Sequence, residues 1–582
     1  MAISETIPAI SNGVAQIAPE KPEPVTRKKL HGRAFYESIG SPKYIVAPMV
    51  DRSEFVGVAH FDPCALKVLI NDYYSQAWRM LTRSFMTPEE SKSVLAYSPM
   101  YHARLFEEHA GYRAKAFHPT RAWGDTKCKG DDSPYLDGNP AIDRPLFVQF
   151  CANDPDDFLN AARHVAPYCD AVDLNLGCPQ GIARRGHYGA FLQEDWDLIY
   201  KLINKLHMEL PVPVTAKFRI QESKEKTLEY AKMILSAGAS IITLHGRTRE
   251  QKGHNTGLAD WSYIRYLRDN LPPDTVIFAN GNNLNHDDLA RCLEATGADG
   301  VMSAEGNLSD PSIFAKPPPV GSEGREYWRG RDGKGGYRID AVFRRYLDII
   351  YKYVLEQPVP ERKPLYIPSD PEEEALPQSN TTTNTTAPAA EVEAHGGEEE
   401  EEEGPPKKKQ KKQKVPHKFR HGNPNSPSTK FMQAHLFQLF RPLIATHTNV
   451  RDALARSSPS DMSTFEHTLS ILEEEVKKGL KEYEQFPERF EHKPDPSLTG
   501  SKATIAEYGR PFWVCQPHIR PTPEEAMEVG ALQVKKGEKQ KKAEVENEQA
   551  KANDKMEAVT SVQTVEAADT PTTAAKDALL SG

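Results

Sequence analysis

Eight short apolar, β-branched segments recur through the first half of the chain, and their spacing restricts the fold more than any other feature. They are Tyr44–Met49, Val94–Met100, Leu146–Cys151, Ala171–Leu176, Val214–Ile220, Ile241–Gly246, Val276–Gly281 and Gly300–Gly306. Several are nearly continuous apolar runs, as expected of strands buried on both faces of a parallel sheet. Helical patterns separate the later ones. Lys224–Ala239 places Leu228, Ala231, Ile234 and Leu235 on one face. Asn285–Thr296 opens on Asn285 as an N-cap, with Asp288 three residues on. Strand–helix alternation repeated eight times predicts an α/β fold, a (β/α)8 TIM barrel over about 41–320.

Polar groups follow the strands where such a barrel builds its site. The strand ends carry Pro48-Met49, Gln149, Asn175 with Cys178, Lys217 with Arg219, His245 with Arg247, Asn280-Gly281-Asn282, and Ala304-Glu305-Gly306. In a (β/α)8 barrel these carboxyl ends converge on one mouth. The segment Asn175-Leu-Gly-Cys-Pro179 delivers a thiol onto a rigid turn. A lone cysteine is as often a buried structural residue, but seven strand ends of similar character point to chemistry. Gly281 and Gly306 mark the usual barrel phosphate site, where backbone N–H groups meet an anion. Lys217 and His245 add positive or donor character, and Gln149 can donate and accept along a ring edge. That set suits flavin mononucleotide (FMN). The seven cysteines show no metal-ligand spacing, so no metal is expected.

Linked motifs add a resemblance. Ala47-Pro-Met-Val-Asp51, Phe147-Val-Gln-Phe150, Asp173-Leu-Asn-Leu-Gly-Cys-Pro179, Ala216-Lys-Phe-Arg219, Leu244-His-Gly-Arg-Thr-Arg249 and Ala279-Asn-Gly-Asn282 resemble the tRNA-dihydrouridine synthases. Tyr101–Phe106, Ala183–Leu192 and Cys515–Pro521 place the likeness nearest the eukaryotic branch acting on uridines 16 and 17 of the tRNA D-loop. The resemblance implies that NADPH, or NADH, reduces bound FMN, which passes hydride from N5 to C6 of a uracil. Cys178 would protonate C5. A thiol suits this task because its ordinary pKa, about 8.5, keeps it protonated near neutrality. By the same likeness Pro48, Met49 and Val50 line the flavin, and Gln149, Lys217 and His245 contact its ring or ribityl chain. Asn280, Gly281, Asn282, Ala304 and Glu305 hold its tail and phosphate, with Asn175 and Arg219 nearby. Glu305 is acidic, so its carboxylate is expected to turn away from the phosphate and leave that contact to backbone N–H groups. Many synthases carry an arginine where this chain has Glu305, and a second departure is Phe55–Gln76, between Glu54 and Ala77, which is either a lineage-specific loop or an unspliced intron.

Beyond the barrel, helical spacing over Tyr337–Leu355, Phe431–Leu443 and Met462–Lys481 predicts a small helical domain spanning 326–365 and 428–521. In the family this domain grips tRNA, and Arg344, Arg345, Arg441 and His447 are candidates weighed against ordinary helix-surface roles. Residues 1–40, the insert 366–427 and the tail 530–582 are polar or charged and expected to be disordered. The basic cluster Pro405–Lys414, close after the acidic run Glu398–Glu403, reads as a nuclear-import signal or a phosphate-binding arm, and equally as a solvated tract neutralised by its acidic neighbour. No signal peptide or membrane span is expected, which together with unpaired cysteines reads as a reducing compartment, the cytoplasm, the nucleus or both; a monomer is expected. The net charge of −9 does not argue against RNA, because affinity depends on local patches such as Arg184, Arg185 and Arg325–Arg338. Two other functions fit parts of the pattern. One is a small-molecule pyrimidine oxidoreductase resembling dihydroorotate dehydrogenase; the other is a catalytically silent tRNA-binding chaperone.

Overall fold

The computed structural model describes residues 29–49, 76–123, 130–371, 427–491 and 496–528. Eight parallel strands close into a barrel: β1 Tyr44–Val46, β2 Val94–His102, β3 Leu146–Cys151, β4 Ala171–Leu176, β5 Val214–Arg219, β6 Ile242–His245, β7 Ile277–Asn280 and β8 Gly300–Ser303. β1 pairs with both β2 and β8, so the barrel sheet itself has no edge. Each predicted apolar run is a strand. Several stop short of the run because the chain leaves the ladder at the mouth, as at Ala47–Met49 after β1. The helix His286–Thr296 has the expected capping box, with Asn285 and Asp288 satisfying each other's backbone N–H groups.

Within the span 1–40 predicted to be disordered, Gly32–Ser38 forms a helix, and residues 1–28 lie outside the described residues. Phe35 and Tyr36 from this helix join Ile45, Tyr97, Phe147 and Phe278 in one buried cluster, and Phe35 stacks on Phe147. The apolar pair plugs the end of the barrel opposite the mouth. The only local signal is a Phe-Tyr pair in a polar stretch, too brief for a periodicity argument.

Helix Gln76–Arg83 is buried along its whole length and joins the barrel to the helices that follow. Trp78 donates from Nε1 to Asn307 just beyond β8 (3.0 Å), and its ring meets Tyr346 and His435. Arg79 and Arg83 converge on Asp143, and Arg79 also reaches Asp137. These bonds fasten the long connection before β3. Phe55–Ser75 lie outside the described residues, as does Val50; Gln76 opens the joining helix.

The helical part contains Ile339–Ile349, one π-helical turn at Ile350–Val354, Met432–Leu439, Thr448–Arg456 and Ser463–Gln485. Phe343, Leu347, Leu436, Phe440, Leu472 and Trp513 extend the core that lies outside the barrel strands. Arg344 pairs with Glu473 at 2.5 Å, while Arg345 pairs with Glu326 and stacks on Phe85. Both side chains are thus engaged by carboxylates within the domain. His447 lies against the Phe512 ring, and Arg441 is exposed. Residues 366–371 precede most of the predicted insert and are held by the Arg325–Asp370 ion pair. Residues 372–426 and the tail beyond 528 lie outside the described residues.

Candidate active site

All eight strands run the same way, so the predicted side chains do arrive at one end of the barrel. The turn after β4 is the best-defined feature there. Asn175 Oδ1 accepts from the backbone N–H groups of Gly177 (3.0 Å) and Cys178 (2.9 Å). The Cys178 carbonyl accepts from Ala190 N at 3.1 Å. Gly189 makes this approach possible: its φ is +65°, and a Cβ there would lie 2.9 Å from the Cys178 oxygen. The thiol is thus held by its own backbone on both sides. Burial pushes the Cys178 thiol up; the Gln180 backbone N–H and the charges of Arg219, Lys217 and Lys252 offset this only in part. It therefore keeps its proton at neutral pH.

Behind the turn runs a buried polar chain. Asn175 Nδ2 donates to Gln149 Oε1 (2.8 Å), Gln149 Nε2 donates to Asp173 (2.8 Å), and Thr215 donates to the other Asp173 oxygen (2.6 Å). Both ends of the Gln149 amide are engaged within the barrel, so in this structure it positions Asn175. Burial raises Asp173 to about 6, with the Thr215 and Gln149 hydrogen bonds opposing the rise. Neighbouring strands carry this chain (β3–β4 and β4–β5), and the pairing Gln149↔Asp173 sets its register.

The wall beyond Cys178 is cationic. Arg219 donates to the carbonyls of Gly177 (2.8 Å) and Thr248 (2.8 Å), tying the thiol turn to the loop after β6. Lys217 is half-buried and has no hydrogen-bonded partner among the described residues. Burial, helped by the charge of Arg219, lowers it to about 8. Arg247 Nη1 lies 3.1 Å from His245 Nε2. Because a guanidinium only donates, Nε2 must hold its lone pair and Nδ1 the proton. Burial and the three neighbouring cations hold His245 neutral, well below the usual imidazole range.

The turns after β7 and β8 complete the mouth. Gly281 has φ +116°, and a Cβ there would lie 2.6 Å from the Ala259 methyl and 3.1 Å from the His245 ring. Asn282 accepts from Arg247 (2.7 Å) and exchanges hydrogen bonds with the Ala259 backbone. Asn280 donates to the Met302 carbonyl at 3.1 Å. The Asn280 and Asn282 side chains therefore shape the turn, leaving Gly281 backbone as its smallest surface. Pro48 and Met49 lie half-buried at the end of β1, and Ala304 leads into Glu305 after β8. The Glu305 carboxylate is turned to Arg520 at 2.8 Å.

These residues fit FMN. A half-buried ammonium without a hydrogen-bonded partner and a neutral imidazole presenting Nδ1–H offer donors to a ring rich in acceptors. The concentration of cations favours an anionic tail. The sequence missed the Asp173–Thr215 support, the clamp by Arg219 and the approach at Gly189. Each lies within or beside a motif, but the Asp173–Thr215 and Arg219–Gly177 partners meet only across strands, and Gly189 meets Cys178 only where the loop after β4 folds back.

The sequence profile for dihydrouridine synthase (Dus) matches residues 70–325. The chain is 40% identical over 495 residues to the tRNA-dihydrouridine(16/17) synthase of Schizosaccharomyces pombe, covering 85% of this chain and 92% of that one. It is 37% identical over 499 residues to the enzyme of that name in Saccharomyces cerevisiae, covering 85% and 87%. The mouse tRNA-dihydrouridine(16/17) synthase-like protein is 42% identical over 301 residues, 51% of this chain and 54% of its own. The agreement extends well past the barrel in both fungal relatives. This chain belongs to the dihydrouridine synthase family.

Proposed function

We propose that this protein reduces the C5=C6 bond of uridines 16 and 17 in the tRNA D-loop, with FMN as cofactor and NADPH as reductant. The observation that carries the reading is the Cys178 thiol, fixed on its turn by Asn175 and with its pKa raised by burial, beside the Lys217 ammonium, which has no hydrogen-bonded partner among the described residues. Bound FMN supplies the reducing equivalents to the uracil ring. Lys217 and His245 would hold its ring and ribityl acceptors. Pro48 and Met49 would pack against it, and the backbone of Gly281, Ala304 and Glu305 would receive its tail. Cys178 gives its proton to C5 of the uracil. Asn175 and Arg219 keep the thiol in place, and Gln149 acts through Asn175.

A uridine stacked in folded RNA cannot enter a barrel mouth, so the base must be extruded. Arg184 and Arg185 are exposed on the short helix after Cys178 and would meet the flanking phosphates. The helical domain would grip the remainder of the tRNA, with the protein acting as a monomer in the cytoplasm, the nucleus or both. The test is to incubate purified protein with FMN, NADPH and unmodified tRNA, then map dihydrouridine by mass spectrometry. Product at 16 and 17 is expected. A yellow, tRNA-binding protein that makes none, or one that reduces free uracil or orotate instead, would overturn the reading.

A further inference from the structure

The chain returns to the barrel mouth about two hundred residues after leaving it, and the returning segment brings an arginine. Residues 513–515 bind along the hairpin Tyr327–Arg329/Gly335–Tyr337: Ile339 N donates to Trp513 O at 2.8 Å, and Cys515 N to Tyr337 O at 2.9 Å. Farther on, Thr522 N and Ser501 N both donate to Glu525 (2.8 and 3.0 Å). Pro523 lies against Gly257, in the loop after β6. The segment is therefore pinned at both ends, and Arg520 lies between the pins.

Two barrel turns meet at that point. Arg520 Nη2 donates to Glu305, in the turn after β8. Its charge also bears on Arg247, lowered to about 10 chiefly by burial and then by Arg219 and Arg520. Arg247 in turn holds Asn282 of the turn after β7. Turns after the seventh and eighth strands are where (β/α)8 barrels bind phosphate. Neighbouring guanidiniums repel unless an anion lies near both. The bond to Glu305 orients the Arg520 guanidinium fork beside the turn after β8. The Arg520 and Glu305 side chains are 26% and 34% exposed, so the pair itself adds little stability.

We propose that Arg520 is a ligand to the FMN phosphate, delivered by the carboxyl-terminal segment and oriented by Glu305. The inference rests on the flavin reading above. It makes cofactor loading depend on docking of this segment, and it gives the acidic residue at the last turn a role as an anchor.

The test compares FMN with riboflavin, which lacks the phosphate, on flavin-stripped full-length protein. Arg520→Ala should weaken FMN binding about 10- to 100-fold and leave riboflavin near wild type. Arg520→Lys, which keeps a charge but loses the fork, should fall between. On the wild-type chain, phenylglyoxal labelling of Arg520 read by mass spectrometry should be blocked by FMN and not by riboflavin. This arm needs no variant to fold. Equal losses of both flavins, or unchanged FMN affinity with weakened tRNA binding, would overturn the proposal. Wild-type protein that binds neither flavin would instead overturn the flavin reading itself.

Discussion

Asn175→Ala is the sharpest perturbation of the thiol turn that leaves the thiol itself intact. The change removes the acceptor for two adjacent backbone N–H groups, at 3.0 and 2.9 Å, and the 2.8 Å donor to Gln149. The turn is half-buried, so water replaces part of what is lost. Three hydrogen bonds at the lower end of their usual worth come to about 1.5–3 kcal/mol. A domain of this size should then melt a few degrees lower yet remain folded. Chemistry should suffer more than stability, because displacing a reacting group by about 1 Å can cost about 100-fold. The assay is single-turnover reduction of tRNA by FMN-loaded protein, with thermal melting and FMN affinity measured on the same samples. FMN affinity should stay near wild type, since Asn175 acts on Cys178. Wild-type turnover in Asn175→Ala would refute the reasoning, and so would a rate loss matched by an equal loss of FMN affinity.

Three further outcomes follow from neighbouring geometry. Gly189→Ala places a Cβ 2.9 Å from the Cys178 carbonyl at φ +65°, so tRNA reduction should fall by more than tenfold in a folded protein, read by the same single-turnover assay. Asp143→Ala leaves Arg79 and Arg83 buried without their shared carboxylate, which should cost about 3–5 kcal/mol in chemical denaturation. Lys217 is lowered to about 8, so its ammonium is present below that pH and lost above it; FMN affinity should begin to fall as pH rises through about 8. Lys217→Met should bind FMN more weakly and without that pH dependence, as measured by flavin fluorescence titration.

Much of this structure can be read along the sequence, because strands buried on two faces write themselves as apolar runs. The same is true of the Asn285–Asp288 capping box, whose partners are three residues apart. The mouth follows once the strands are known, since a parallel barrel gathers every carboxyl end. What escapes such reading is pairing between distant residues. Arg79 and Asp143 are 64 positions apart and Arg520 and Glu305 are 215 apart, with no periodicity to link them. The hydrogen bonds that join Gln149 to Asp173 and Asn175 depend on the β3–β4 register, which no local pattern states. Arg344 and Arg345 carry the charge that RNA contact needs, yet Glu473 and Glu326 pair with them inside the domain. Composition alone cannot separate a packed arginine from a binding one.

The central claim is that Cys178 supplies the proton, and it is tested most directly by separating the two halves of the cycle in Cys178→Ala. Bleaching of the flavin absorbance by NADPH should proceed near the wild-type rate, because no residue of the thiol turn is assigned to that half. Recovery of the absorbance on adding tRNA should slow by about 100-fold or more, the usual worth of a positioned general acid. Recovery at the wild-type rate, or equal slowing of both halves, would contradict the account.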